Sequence, residues 1–309
     1  MRKPLLFIFL LAVFLTPNLF AQEQNDKQYF YKAIKDGNYE LFIYYIEKKG
    51  ISVNCTYEID ITPYSMWNKT YDTLTPLTYL FYLRPKLNGR TDITWNYNGE
   101  PVVDVYERML DYLIKNGADV NYKSKKGYTC VEYFYKQGLD LYIHGDLEWV
   151  KKVYAAGFDF SKSKNLGWQI LRNQELELFY YGVNRGIDFS IKVSLEDMQN
   201  YTVNDISLLQ FAIYMYCYTS KLDFIQDLLQ TGQINIHSQD SNGDTALHYA
   251  VHLNYPYREI DSYEYLAWVK FLIKNGADPK MKNKKGQTPL DIALEYGENG
   301  CASYLLQFE

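Results

Sequence analysis

Two stretches of the chain carry the same helical pattern and end in the same seven letters. In residues 105–113 and again in residues 266–273, apolar side chains fall three and four positions apart, which is the spacing of an amphipathic helix. Each stretch runs into Leu-Ile-Lys-Asn-Gly-Ala-Asp, at 113–119 and 272–278. Asn-Gly can also form a two-residue hairpin turn. Because the helical period continues directly into the motif, it favours a left-handed cap at Gly117 and Gly276.

Weaker copies of this helix end recur along the chain. Each has a glycine followed by alternating apolar and polar residues, at Gly50, Gly157, Gly186 and Gly232. The intervals between successive glycines range from 29 to 67 residues, which indicates a repeat of a few tens of residues with insertions.

A second shared element follows two of these helix ends, in residues 240–250 and 283–293. Both contain a turn glycine, a threonine that can cap a helix start, a leucine for the core and an alanine that permits close packing. The second copy adds a proline at the first helical position, where its missing donor costs nothing. These residues are Gly243, Thr245, Leu247, Ala250, Gly286, Thr288, Pro289, Leu290 and Ala293.

In this pattern the chain resembles the ankyrin repeat family, which has a Thr-Pro-Leu-His-x-Ala signature. Ala246 replaces the signature proline in one copy and Asp291 the histidine in the other, while earlier copies are degenerate. The resemblance implies an all-α, helix-turn-helix solenoid with short β-hairpin fingers, in about seven units over residues 22–309. It also implies that the ring of His248 ties adjacent hairpins together by hydrogen bonds.

Three insertions interrupt the repeat, near residues 55–74, 81–101 and 254–262. The first is predicted to be an elongated hairpin finger. Loops that depart from a repeat often carry function, but a tolerated surface insertion explains them equally well.

Residues 1–21 have the layout of a cleaved secretory signal peptide. Arg2 and Lys3 precede an unbroken apolar run from Leu5 to Leu15, and Ala21 is a small residue suited to cleavage before Gln22. The run is shorter than the roughly 20 residues of a membrane-spanning helix. We therefore expect an exported protein, periplasmic or secreted, without membrane insertion after cleavage.

Charge and cysteine content exclude further classes. The formal net charge of −5 and the pI of about 5.5 argue against nucleic-acid binding, which normally needs a basic face. The cysteines at 55, 130, 217 and 301 have no metal-binding spacing. An oxidising compartment permits disulfides, but isolated buried thiols are the preferred interpretation.

The sequence contains no clear catalytic motif. His248 and His252 lie one helical turn apart and could form a metal pair, but the family position of His248 favours a structural role. Glu175 and Glu177 lie on a predicted helix and are expected to be solvated. We therefore expect no enzyme activity, no cofactor and no metal.

The expected function is protein–protein interaction through the concave face of hairpin tips and inner helices, by a monomer. An acidic partner facing positive tips is the sharper hypothesis, and lysines that merely keep turns soluble are the alternative. A secreted effector that binds a host protein, and an envelope inhibitor or immunity-type protein, are further alternatives. The predicted tips are Lys125, Lys126, Lys164, Asn165, Ser241, Asn242, Lys284 and Lys285.

Overall fold

The computed structural model divides the chain into two compact units, Met1–Ser163 and Lys164–Glu309. The residues described are 21–62, 69–84, 98–136, 147–173, 175–196, 202–215, 222–251 and 262–309.

Within the described residues, the first unit contains three helix pairs. A pair consists of two successive described helices, and every pair except the last one of the chain is followed by a turn at a glycine. The helices are α1 (21–35), α2 (Tyr39–Glu47), α3 (Pro76–Leu83), α4 (Val102–Lys115), α5 (Cys130–Lys136) and α6 (Leu147–Ala155).

We call the segment between two successive pairs a finger. The finger between α2 and α3 contains β1 (Tyr57–Asp60) and β2 (Tyr71–Leu74), which pair antiparallel with Tyr57 opposite Leu74. An elongated hairpin therefore occupies the place of the first predicted insertion.

The described part of the second unit contains four helix pairs and a second long finger. Between its first two pairs, β3 (Lys192–Glu196) pairs antiparallel with β4 (Thr202–Ser207), with an irregular register between Val193 and Leu195. Asp205 in β4 has a positive φ of 60°. The helices are α7 (Leu166–Asn173), α8 (Leu176–Gly182), α9 (Leu208–Met215), α10 (Leu222–Gln230), α11 (Ala246–Val251), α12 (Ser262–Lys274), α13 (Pro289–Glu295) and α14 (Asn299–Leu305).

Within each unit, first helices of successive pairs pack against each other, and so do second helices. In the first unit α3 contacts α5, and α2 contacts α4; in the second, α7, α9, α11 and α13 contact one another in sequence, and α12 contacts α14. The apolar faces meet between these layers, where Trp149 of the first unit and Trp268 of the second are buried. This helix-rich architecture with small antiparallel hairpins fits ankyrin-like repeats.

The predicted left-handed glycine caps are present at the helix ends. Gly117 and Gly276, which end the two identical motifs, have φ of 79° and 93°. Other residues resist this conformation, whereas glycine has no Cβ to clash. The weaker copies behave alike, with positive φ at Gly50, Gly157, Gly186 and Gly232.

Some predictions fall on residues outside the described ranges. They concern residues 1–20 of the signal peptide, residues 63–68, 85–97 and 254–261 of the insertions, and His252 and Cys217. Among the described helices, none has both the length and the apolar character needed to cross a membrane.

Candidate functional site

The first helix of each late pair begins with a reciprocal cap. Before α13 the Thr288 amide donates to Asp291 Oδ2 (2.8 Å), and the Asp291 amide donates to Thr288 Oγ1 (3.2 Å). This capping box satisfies two donors that a helix start otherwise leaves unpaired.

His248 makes the same cap before α11 and also reaches the next finger. Its Nδ1 accepts from the Thr245 amide (3.1 Å), and its Nε2 lies 3.1 Å from Gln287 O. Since Nδ1 accepts, the proton is on Nε2, which donates to the carbonyl. The ring therefore ties two adjacent fingers together.

In the preceding repeat, Gln210 makes the same two kinds of hydrogen bond as His248. Its Oε1 accepts from the Ser207 amide (2.7 Å), and its Nε2 donates to Asp244 O (2.5 Å). Sequence reasoning had treated this copy as degenerate. The Ser-x-x-Gln spacing of a capping box was the signal that could have found it.

The environment of His248 keeps its ring neutral. The side chain is 3% exposed, and this burial lowers its pKa below the ordinary value of 6.5, although Asp244 and Asp240 favour the charged form. Burial also raises the pKa of Asp244. With both ring nitrogens engaged inside the protein, His248 has a structural role.

The last two finger tips are joined to each other. The Lys284 amide donates to Asn242 O (2.9 Å), and Lys284 Nζ donates to Ser241 O (2.8 Å). A Cβ on Gly243 would lie 2.7 Å from the Lys284 nitrogen, so this approach requires glycine. Lys285 in the same turn is exposed. The predicted pairs 241–242 and 284–285 are therefore neighbours.

The tip at Lys125 and Lys126 belongs to the first unit. Both side chains are exposed, while the Lys126 amide donates to Asp72 Oδ1 (3.3 Å) of the preceding finger. Asp72 is 2% exposed and also accepts from the Tyr133 hydroxyl. The structure places Lys164 and Asn165 in an exposed turn at the start of the second unit.

Asparagine side chains join successive helix ends in the first unit. Asn54 accepts from the Asp119 amide (2.6 Å) and donates to Gly117 O (3.0 Å). Asn121 repeats both bonds with Asp159 (2.8 Å) and Gly157 (2.9 Å). These bonds fix the spacing of the fingers whose tips are exposed.

The remaining chemical candidates do not converge. Across the described part of the chain, no cluster of His, Cys, Asp or Glu has a geometry that could hold a metal ion. The expectation that Glu175 is solvated is wrong, because it sits immediately before α8 and is 6% exposed. Burial raises the pKa of Cys55 to about 11 and those of Cys130 and Cys301 to about 12.

The family model described as ankyrin repeats, in three copies, matches residues 209–309. This range spans α9 to α14, the last three helix pairs. The match agrees with the residues on which the resemblance was based. Ankyrin repeats are generally non-catalytic binding modules and indicate a protein–protein interaction scaffold.

Individual proteins show the same similarity. A Rickettsia bellii protein named for ankyrin repeats is 35% identical over 77 residues, which cover 25% of this chain and 40% of that protein. YahD of Escherichia coli, also named for ankyrin repeats, is 24% identical over 186 residues, covering 52% of this chain and 90% of YahD. The chain thus spans less than half the length of the first relative.

One solved structure is also similar. It is a complex of a predatory endopeptidase from Bdellovibrio bacteriovorus with an immunity protein. Its matching chain has a TM-score of 0.45 and 22% identity, over 67% of this chain and 93% of that one.

Proposed function

Given that this chain is an ankyrin repeat protein, we propose that it binds a partner protein through its fingers and the adjoining first helices. The observation that carries the proposal is the fixed spacing of the fingers. Side chains such as His248 and Gln210 hold neighbouring fingers at hydrogen-bond distance. A surface that is rigid before binding loses little conformational entropy when the partner docks.

The lysine tips favour an acidic partner. Lys125, Lys126, Lys164 and Lys285 are exposed at turns of a chain whose formal net charge is −5. Exposed lysines at these turns attract negative surfaces of a partner. Lys284 has a second role, since it also holds the neighbouring tip.

We also propose export, to the periplasm or the medium. Among the described residues of the first unit, the side chains of 21–25 are exposed and the first buried side chain is Phe30. Cleavage before Gln22 would therefore remove none of the buried side chains that the structure describes. Mass measurement of the exported protein should give an N-terminus at Gln22, and an intact N-terminus on the exported protein would contradict the proposal. Recovery from the medium would favour a secreted effector over an envelope protein.

Affinity capture with charge-reversal variants tests the binding surface. The immobilised chain should retain a stoichiometric partner from envelope or secreted fractions. K125E/K126E and K284E/K285E should each weaken that retention, more strongly at low salt. The matched control is K270E/K274E, which reverses two exposed charges on helix α12. Equal retention by the finger variants and the control would refute binding through the tips.

A further inference from the structure

A cleft of about 520 Å³ opens between two fingers of the second unit. One wall is the start of the β3–β4 finger, from Phe189 to Lys192, together with Ser207. The other wall is the next finger, from residue 233 to 239. A volume of this size lies within the range of ligand sites.

Hydrogen bonds hold the two walls of the cleft apart at a fixed width. At its inner end Gln233 Oε1 accepts from the Phe189 amide (2.7 Å), and Gln233 Nε2 donates to Ile187 O (3.2 Å). Nearer the strands, Lys192 Nζ donates to Gln239 O (3.2 Å). These bonds fix the position of one wall relative to the other.

The lining of the cleft combines apolar side chains with one lysine. Ile191 and Ile234 are partly exposed in it, while Lys192 is exposed. None of the residues that line it is acidic. Such a lining fits a ligand with an apolar side chain and neighbouring negative charge.

The positive charge continues onto the next finger. Gln239 Nε2 donates to Lys282 O (3.0 Å), so the third finger lies directly beside the second wall. In this finger exposed Lys280, Lys282 and Lys284 alternate with less exposed residues. This alternation in exposure places the three lysine side chains on the solvent side of the finger.

We propose that the cleft and the adjoining Lys280 and Lys282 bind an extended acidic segment of a partner protein. An apolar side chain of the segment occupies the cleft, and carboxylates at every second position face the lysines. Alternate side chains of an extended segment also lie on one side. The proposal rests on the proposed function, since it assigns the partner's chemistry at part of the finger surface.

Fluorescence anisotropy with labelled octapeptides tests this assignment on the full chain. The probe is Ser-Leu-Ser-Glu-Ser-Glu-Ser-Glu. Three control peptides replace Leu by Ser, replace each Glu by Gln, or place the three Glu residues consecutively. Binding of the probe should be stronger than binding of every control peptide, because each control removes one required feature.

Protein variants locate the site. K280Q/K282Q should weaken probe binding by roughly tenfold, as expected for two ion pairs at a protein surface. Ile234→Ser should weaken binding of the Leu probe but not of the peptide that lacks Leu. K270Q/K274Q, with the same loss of charge on helix α12, should bind like the unaltered chain.

Two results would overturn the proposal. The first is that the consecutive-Glu peptide, or a single-stranded oligothymidine, binds as strongly as the probe. The site would then attract polyanions in general. The second is no probe binding while finger-dependent capture of a protein persists. In that case the proposed function stands and the acidic-segment proposal is wrong. If neither probe binding nor finger-dependent capture is observed, the proposed function and the acidic-segment proposal are both refuted.

Discussion

Replacement of His248 by alanine or by glutamine separates the hydrogen bonds of this side chain from its protonation. Alanine removes both bonds, to the Thr245 amide and to Gln287 O. Glutamine can make both, because Gln210 already makes the equivalent pair at 2.7 and 2.5 Å in the preceding repeat.

The expected magnitudes follow from what alanine leaves unpaired. Thr245 is 3% exposed, so water does not readily replace the lost partner of its amide. An unsatisfied buried group costs about 1–3 kcal/mol, and the more accessible Gln287 carbonyl adds less. We expect His248→Ala to lower the free energy of unfolding by about 2–4 kcal/mol, and His248→Gln by less than about 1 kcal/mol.

Both variants should also differ from the unaltered chain in pH dependence. Because burial lowers the native-state pKa of His248 below 6.5, native and unfolded states are both neutral above that pH. As the pH falls below 6.5, the unfolded state takes up a proton that the native state resists, so stability decreases. Both variants should lack this decrease, because neither carries the imidazole; only His248→Gln also keeps the two hydrogen bonds. The raised pKa of Asp244 has the opposite effect: as the pH falls through this raised pKa the native state takes up a proton first, so stability increases until the unfolded state also titrates near its ordinary value of 3.8.

Urea unfolding followed by circular dichroism at pH 7 and 5.5 measures both effects. Hydrogen exchange of the Thr245 amide adds a local readout. Gln210→His is the reciprocal control, since it should keep the cap and add a second acid-sensitive contact. The reasoning fails if His248→Gln is as unstable as His248→Ala at pH 7, or if it keeps the full acid sensitivity of the unaltered chain.

Three further results are expected. In urea unfolding, Gly243→Ala should lower the free energy of unfolding by about 2 kcal/mol or more, because it adds a clash to the strain of a positive φ. Gly286→Ala is the matched control: it has a φ of 79° but open space around the added Cβ, and should lower the free energy by about 1 kcal/mol. Thr288→Ala should lower the free energy of unfolding by about 1 kcal/mol through loss of the capping box, and the urea midpoint should fall accordingly. An unchanged midpoint would contradict the role of the cap. Iodoacetamide at pH 7 should leave three thiols of the native chain unlabelled, by peptide mass mapping, and rapid native labelling of any of them would show that burial does not control reactivity. These thiols are Cys55, Cys130 and Cys301.

Local patterns predicted most of the repeat. Helical spacing ending at glycine located the helix ends, and the turns at 125–126, 164–165, 241–242 and 284–285 lie where the sequence placed finger tips. These features depend on a few neighbouring residues, such as a glycine that adopts positive φ. Their physical cause is therefore visible in the sequence.

Long-range pairing was less accessible. The β3–β4 hairpin was not predicted, although Ile191, Val193 and Leu195 alternate with polar residues over a short run. The cleft also went unnoticed, because residues 189–192 and 233–239 are distant in sequence and meet only through packing of successive repeats. Such contacts have no local signal.

The sequence distance spanned by the bonds between repeats has a consequence for folding. The bonds of Gln210, His248 and Asn121 to the next repeat span 34, 39 and 36 residues. The Asn54 bond to Gly117 spans 63 because the first long finger and the second insertion intervene. Contacts between distant residues form more slowly, since more chain entropy is lost on closing the loop. Within the first unit, docking of α1 and α2 onto the following repeat should therefore be a late folding step.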